Sequence, residues 1–223
     1  MYDDQFIGKG TFSWFIGVVE SVNDPKFLNR VKVRCFGYHT QDTGILPTEK
    51  LPMATVMMPN TSASLKGVGS NHELEIGSTV VGFFRDGNSA QDPIIMGSVA
   101  TQTESVIDIP TEAQLNPPTN KVHKTEGGHL IEYDNTDGSK RINIQHASGT
   151  TININNDGTV EINAVNDIVN IDGNTTITGT LHVTGAQTND STIVATDSIT
   201  GKEITLDTHV HTGDSGGKTG TPE

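Results

Sequence analysis

The sequence predicts an all-β chain with two unlike halves, a small closed barrel followed by a slender shaft of short strands and turns. Three observations predict it. Ten of the eleven aromatic residues in this 223-residue chain lie in residues 1–100, and only Tyr133 follows them. Five segments of that first stretch are rich in β-branched and aromatic residues at strand length, with no amphipathic helix of useful length among them. From residue 126 onward, aliphatic residues come in pairs spaced two apart, with glycine turns between the pairs.

Residues 1–11 read as an N-terminal arm. Met1-Tyr2-Asp3-Asp4 is acidic and no apolar h-region follows it, so it does not read as a signal peptide. No apolar run approaches the roughly 20 residues that a membrane-spanning helix needs. Fourteen Lys and Arg stand against 27 Asp and Glu, a net charge of -13. That balance excludes nucleic-acid backbone binding as a main task, which needs clustered cations.

Residues 12–100 read as the barrel. Phe12 to Val22 is the first strand, and Asn23-Asp24-Pro25 signals a turn. Arg30-Val31-Lys32-Val33-Arg34 alternates charged and apolar residues, the pattern of a half-exposed strand. Leu51 to Met58, Ser78 to Phe84 and Pro93 to Val99 are three more strands, the last two separated by Asp86-Gly87-Asn88. Five short strands over about 90 residues suit a small barrel of the OB type, with a two-sheet sandwich as the alternative. The single cysteine, Cys35, sits in an apolar run and reads as a buried small hydrophobe.

Residues 101–124 carry Pro110, Pro117 and Pro118 among polar residues and read as a linker. Residues 125–207 then form the shaft. Leu130-Ile131-Glu132-Tyr133 leads into Ile142 and Ile144, Ile152 and Ile154, Val160 and Ile162, Val169 and Ile171, Ile177, and Leu181 and Val183. Gly149-Thr150-Thr151-Ile152-Asn153-Ile154 is echoed by Gly158-Thr159-Val160-Glu161-Ile162, a loose repeat that suggests a β-helix or β-solenoid. Two aliphatics per rung are too thin a stripe to offset backbone ordering at about 1–2 kcal/mol per residue in one chain. Three chains wound about one axis would pool their stripes into a dry core and leave Thr, Asn and Asp outside. A disordered polar tail is the alternative, and the regular Ile-x-Ile pairs speak against it.

Residues 208–223 read as the tip. His209 and His211 lie two apart, so in an extended segment both imidazoles point the same way. Three copies would bring six nitrogens to an axis, which suits an octahedral first-row ion such as iron(II) better than tetrahedral zinc. The alternative is a pair of solvated histidines. If Ile204 and Leu206 face inward, the metal reading needs a bulge or turn at Asp207-Thr208. Gly213-Asp214-Ser215-Gly216-Gly217 matches the string around a protease nucleophile, but six residues after it leave no room for a substrate pocket; it reads as a glycine-rich turn. Asn155-Asn156-Asp157-Gly158 lacks the later Glu of a calcium loop and also reads as a turn.

The order of these segments resembles the phage baseplate assembly protein V family. The residues that carry it are Gly17-Val18-Val19, Asp24-Pro25, Asn29 to Arg34, Leu51-Pro52-Met53-Ala54, Ile76 to Phe84 and Asp92 to Ser98. Gly127 to Asp134 is similar to the junction into the shaft of contractile-tail spikes, type VI secretion spikes included, and Leu206 to Gly213 is similar to the tip of short phage spikes. The resemblance implies a homotrimeric central spike in the virion, at the tip of the tail baseplate and assembled in the host cytoplasm. Its OB-like domain would join the baseplate hub, its intertwined β-helix would point at the host outer membrane, and it would bind no nucleic acid. It implies an iron ion, one per trimer, held by His209 and His211 of three chains, with another first-row metal as the variant. Some relatives carry a lysozyme domain between barrel and shaft; residues 101–124 leave no room for one, so no enzymatic activity is expected. Two other classes remain at this stage, a trimeric glycan-binding tail adhesin and a small metalloenzyme using His209 and His211 with Asp207 or Asp214.

Overall fold

Each predicted barrel strand forms within two residues of its expected limits: β1 (Ser13–Ser21), β2 (Val31–Cys35), β3 (Met53–Val56), β4 (Thr79–Phe84) and β5 (Pro93–Ser98). The computed structural model describes residues 12–197, 199–201, 204, 205, 210, 217 and 218. The chain divides into two compact units, residues 1–169 and 170–223. Among the described residues there is no α-helix, only strands and three short 3-10 turns.

The five strands close in the order β1-β2-β3-β5-β4, with β4 pairing back onto β1. All pairs are antiparallel except β3 with β5. This is the OB topology, with a long loop rather than a helix between β3 and β4. Alternation along β1 turns Phe15, Gly17 and Val19 inward and Trp14 and Ile16 outward. The interior is filled by Phe15, Val19, Val31, Val33, Cys35, Ala54, Val80, Phe84 and Ile95. Phe15 and Phe84 pack with ring centroids 4.9 Å apart and planes tilted by 43°. Gly82 makes that packing possible, because a Cβ there would lie 2.0 Å from the Ile94 carbonyl oxygen and 2.7 Å from the Phe15 ring.

Arg34 departs from the half-exposed pattern expected of its strand: it is only 2% exposed. A bulge in β1 between Val19 and Ser21 re-aims Glu20 towards it. The guanidinium grips both Glu20 carboxylate oxygens and donates to the carbonyls of Thr40 and Leu46, so the β2–β3 loop closes over it. Thr48 Oγ1 also donates to Glu20, and the Arg34 guanidinium holds the Glu20 carboxyl below its ordinary range. Alternation marks which face a residue takes, but not whether a loop later covers that face.

After the barrel, β6 (Gln102–Thr103) and β7 (Val106–Ile107) form a small hairpin. Five strands then run as an antiparallel meander: β8 (Lys121–Lys124), β9 (Leu130–Asp134), β10 (Arg141–Gln145), β11 (Thr151–Ile154) and β12 (Val160–Asn163). β8 falls within the segment read as a linker. Gly149 and Gly158, at φ +97° and +84°, turn the chain before β11 and before β12. The nine-residue echo is therefore the spacing of successive hairpins. In the second of these turns the Asp157 carboxylate accepts from the Thr159 N–H and hydroxyl, which lowers its pKa. In the second unit, β13 (Thr200–Gly201) pairs antiparallel with β14 (Ile204–Thr205).

Candidate functional site

The meander presents two unlike faces, and strand register fixes both. Across β9 to β12, Ile131, Ile144, Ile152 and Ile162 fall in one row, and Tyr133, Ile142, Ile154 and Val160 in the next. Cross-strand partners share a face, so the eight side chains form one continuous apolar surface. They are 38–64% exposed in the single chain. The opposite face carries the row Val122, Glu132, Asn143, Asn153 and Glu161. There Glu132 is 3% exposed and accepts from Asn120 Nδ2 at 2.7 Å and Arg141 Nη2 at 2.9 Å. The burial is inverted at the centre of the sheet: Glu132 and Asn143 are covered, whereas the apolar rows are bare. The second unit continues the theme, because every described residue from 170 to 197 is exposed, Ile171, Ile177, Leu181 and Val183 included.

His209 and His211 lie outside the described residues, as do Asp207 and Asp214. Among the described residues no three His, Cys, Asp or Glu side chains gather as a metal group would require. Cys35 is buried in the barrel, where burial pushes its thiol up to about 12, out of reach of nucleophilic chemistry at neutral pH. Beside it His39 accepts the Cys35 N–H at Nδ1, and burial lowers its pKa.

Two surface features of the barrel were not singled out from the sequence. One is a groove of about 580 Å³ lined by Phe12, Trp14, Ile16, Phe36 and Tyr38, all substantially exposed. The aromatic count of the first 100 residues was legible, but which aromatics face outward was not. The other is a cleft of about 610 Å³ at the β1–β2 loop. That loop is organised by Asp24, whose carboxylate accepts the N–H groups of Lys26, Leu28 and Arg30 and both arms of the Arg30 guanidinium. These bonds, the Arg30 pair first, hold the Asp24 carboxyl well below the usual carboxylate range. The spacing Asp24 to Arg30 was the available signal for a clamped loop.

Comparison with known proteins agrees with this architecture. The family model for the Gp5 N-terminal OB domain matches residues 37–176, and that for the GpV Apex motif matches residues 204–223. The chain is 42% identical over 80 residues to the pre-baseplate central spike protein Gp5 of Enterobacteria phage T4, which covers 33% of the chain and 14% of that relative. It is 25% identical over 274 aligned residues to protein Gp5 of Vibrio phage KVP40, covering 80% of the chain and 64% of the relative. The chain thus spans less than two thirds of either curated relative. With a closed OB-topology barrel leading into the meander, and a family match that takes in more than half of its residues, the chain belongs to the Gp5 N-terminal OB domain family and ends in a GpV Apex motif.

Proposed function

We propose that this protein is the structural central spike of a contractile phage tail baseplate, a homotrimer that caps the hub and punctures the host outer membrane when the sheath contracts. The observation that carries the reading is the bare apolar face of the meander. Burying an aliphatic side chain is worth about 1.5–3 kcal/mol over leaving it exposed. Seven such side chains and Tyr133, half-exposed in one chain, represent on the order of ten kcal/mol per chain that assembly would recover. Three copies sharing one axis, with residues 125–207 as a trimeric β-helix shaft in which the meander up to residue 163 keeps its own pairing, would bury those rows and the exposed aliphatics beyond residue 170. The Apex match and the similarity to the central spike protein of phage T4 support the assignment to a baseplate spike. The task is mechanical: an interchain sheet spreads load over many backbone hydrogen bonds and needs no catalytic group.

The tip belongs to the same reading. His209 and His211 fall inside the Apex match. Three copies of the pair supply six imidazole nitrogens, a donor set suited to one octahedral iron ion, or another first-row ion, per trimer. The metal would pin three chain ends that otherwise fray. Boundaries of 1–11 for the arm, 12–100 for the barrel, 101–124 for the linker and 208–223 for the tip complete the proposal, with the barrel towards the hub.

Sedimentation equilibrium tests it first. The expected mass is three times the 23.8 kDa of one chain; a monomer at micromolar concentration sinks the shared-axis reading. Metal analysis of the purified trimer tests the tip separately. About one iron per three chains is expected for six-nitrogen coordination, and His209→Ala with His211→Ala should remove it while leaving the three-chain mass. A trimeric glycan-binding adhesin is the second reading, favoured by the outward aromatics Trp14, Phe36 and Tyr38. Saturable binding on a glycan array, lost in Trp14→Ala, would favour it over a piercing spike.

A further inference from the structure

We propose that the cleft at the β1–β2 loop is a docking site for a segment of a second protein in which a large apolar side chain is flanked by carboxylates. The cleft lies on the barrel of a single chain, so the proposal stands whether or not three chains share a shaft. It occupies the side of the barrel where OB folds commonly take ligands, with the β1–β2 loop on one wall and β3 in the floor.

Both walls hold apolar side chains out into water at a conformational cost. On one wall Phe27 adopts φ +55°, a region in which bulky residues are rare, and Asn29 follows at the same φ, which asparagine tolerates. Phe27 is 94% exposed and Leu28 beside it 62%, so the strained turn gives the barrel no packing in return. The Asp24–Arg30 clamp nevertheless fixes that turn from beneath through the N–H groups of Lys26, Leu28 and Arg30. On the other wall Ser64 and Lys66, at φ +47° and +51°, flank Leu65, and a bridge between Leu65 and Val68 holds both of those side chains outward. Strain held by a rigid support, with no folded-state benefit, is the mark of a pre-organised contact.

Charge selects the occupant. Lys66 lines the cleft and Lys26 precedes Phe27 in the loop; both are exposed, and neither has an ion-pair partner among the described residues. Among the described residues no acidic side chain lines the cleft. In a chain of net charge -13, a cleft whose one charged lining residue among the described residues is Lys66, with Lys26 beside it, fits an apolar segment bearing Asp or Glu. Two lysines are too few to follow a nucleic-acid backbone.

The full chain can be titrated by fluorescence polarisation with three labelled twelve-residue peptides. They share a Phe-x-x-Leu centre and differ only in flanks of Asp and Glu, of Ser, or of Lys. The acidic peptide should bind about ten-fold tighter than the serine peptide, with the lysine peptide weakest and the preference shrinking at high salt. Phe27→Ser should weaken all three by about ten-fold, as loss of an aromatic anchor does. Lys26→Glu combined with Lys66→Glu should invert the order. All three side chains are exposed, so these variants should keep the wild-type melting temperature, which is checked alongside. The proposal is overturned by no binding at about 1 mM peptide, by equal binding of the three, or by an order unchanged on charge reversal. It is equally overturned if an oligothymidine or a neutral oligosaccharide competes for the cleft, or if the protein self-associates through Phe27.

Discussion

The barrel and the meander use the same kind of strand and treat their apolar residues in opposite ways. In the barrel, alternation turns Phe15, Val19, Val31, Val33 and Ile95 into a closed interior at 0–1% exposure. In the meander, equally regular alternation leaves Ile142, Ile144, Ile152 and Ile154 bare and covers Glu132 and Asn143 instead. Closure makes the difference. A sheet whose last strand returns to its first owns an inside; an open antiparallel sheet has two faces and must find something to cover the apolar one. The barrel is finished within one chain, whereas the meander leaves its apolar face uncovered.

The largest effect should come from charging the bare face. Ile144→Lys with Ile152→Lys alters residues that are already exposed in one chain, so an isolated chain should tolerate it. In an assembly with a shared axis it places six ammonium groups where only aliphatic carbon meets, and desolvating unpaired charge is prohibitive. We expect complete loss of the three-chain mass by sedimentation, with the Trp14 fluorescence and near-ultraviolet dichroism of the barrel retained. Survival of the trimer would place the interface elsewhere.

The matching experiment removes packing from the closed half. Phe15→Ala should cost about 3–5 kcal/mol, as for a fully buried aromatic. Gly82→Ala should cost about 1–3 kcal/mol, since its Cβ would meet the Ile94 carbonyl oxygen, which belongs to the ladder and cannot move alone. Urea unfolding followed at Trp14 reads both. If either variant dissociates the trimer before the barrel melts, the two halves are not independent.

The asymmetry was only partly legible in the sequence. The five barrel strands were visible because each combines turn residues at its ends with β-branched and aromatic residues inside. The parallel β3–β5 pairing was not, since closure depends on which edges meet after the chain has twisted. The Ile-x-Ile pairs were visible for the same reason as the barrel strands, together with the argument that one chain cannot bury them. Antiparallel pairing of those strands within one chain was not, because a short strand followed by a glycine turn suits a hairpin and a coil equally. Arg34 and Phe27 mark the limit most sharply. A charged residue on an outward position was covered by a loop, and an aromatic residue in a strand-rich region was held out into water by a clamp formed around Asp24.

That clamp gives a pH test confined to one half of the molecule. The Asp24 carboxyl titrates lower in the folded chain than in the unfolded one, where it is near 3.9. A depressed folded pKa contributes stability that is fully present above the unfolded value and is lost as pH falls through the folded value. Barrel stability should therefore be flat in this respect from pH 7 to about 5 and fall below about 4. Asp24→Asn should lower the urea midpoint at pH 7 and flatten the decline on the acid side. The Lys26, Leu28 and Arg30 amides should also lose hydrogen-exchange protection. An unchanged acid slope would mean that other depressed carboxylates, Glu20 in the barrel or Asp157 in the meander, set it.

The smallest expected effect is the sharpest check on independence. Cys35 sits in the barrel interior with its thiol pushed up to about 12 by burial. At pH 8 only about one folded molecule in ten thousand would carry the thiolate, so a disulfide reagent can reach it only through opening of the barrel. Labelling of the native protein should be at least about a thousand-fold slower than in urea. If the barrel is complete within each chain, that rate should be the same in the wild type and in Ile144→Lys with Ile152→Lys, whatever becomes of the trimer. A rise of more than about ten-fold, or 1.4 kcal/mol of opening free energy, would mean that the closed half draws stability from the open one. The contrast would then be one of degree, with the shared axis helping to hold the barrel shut.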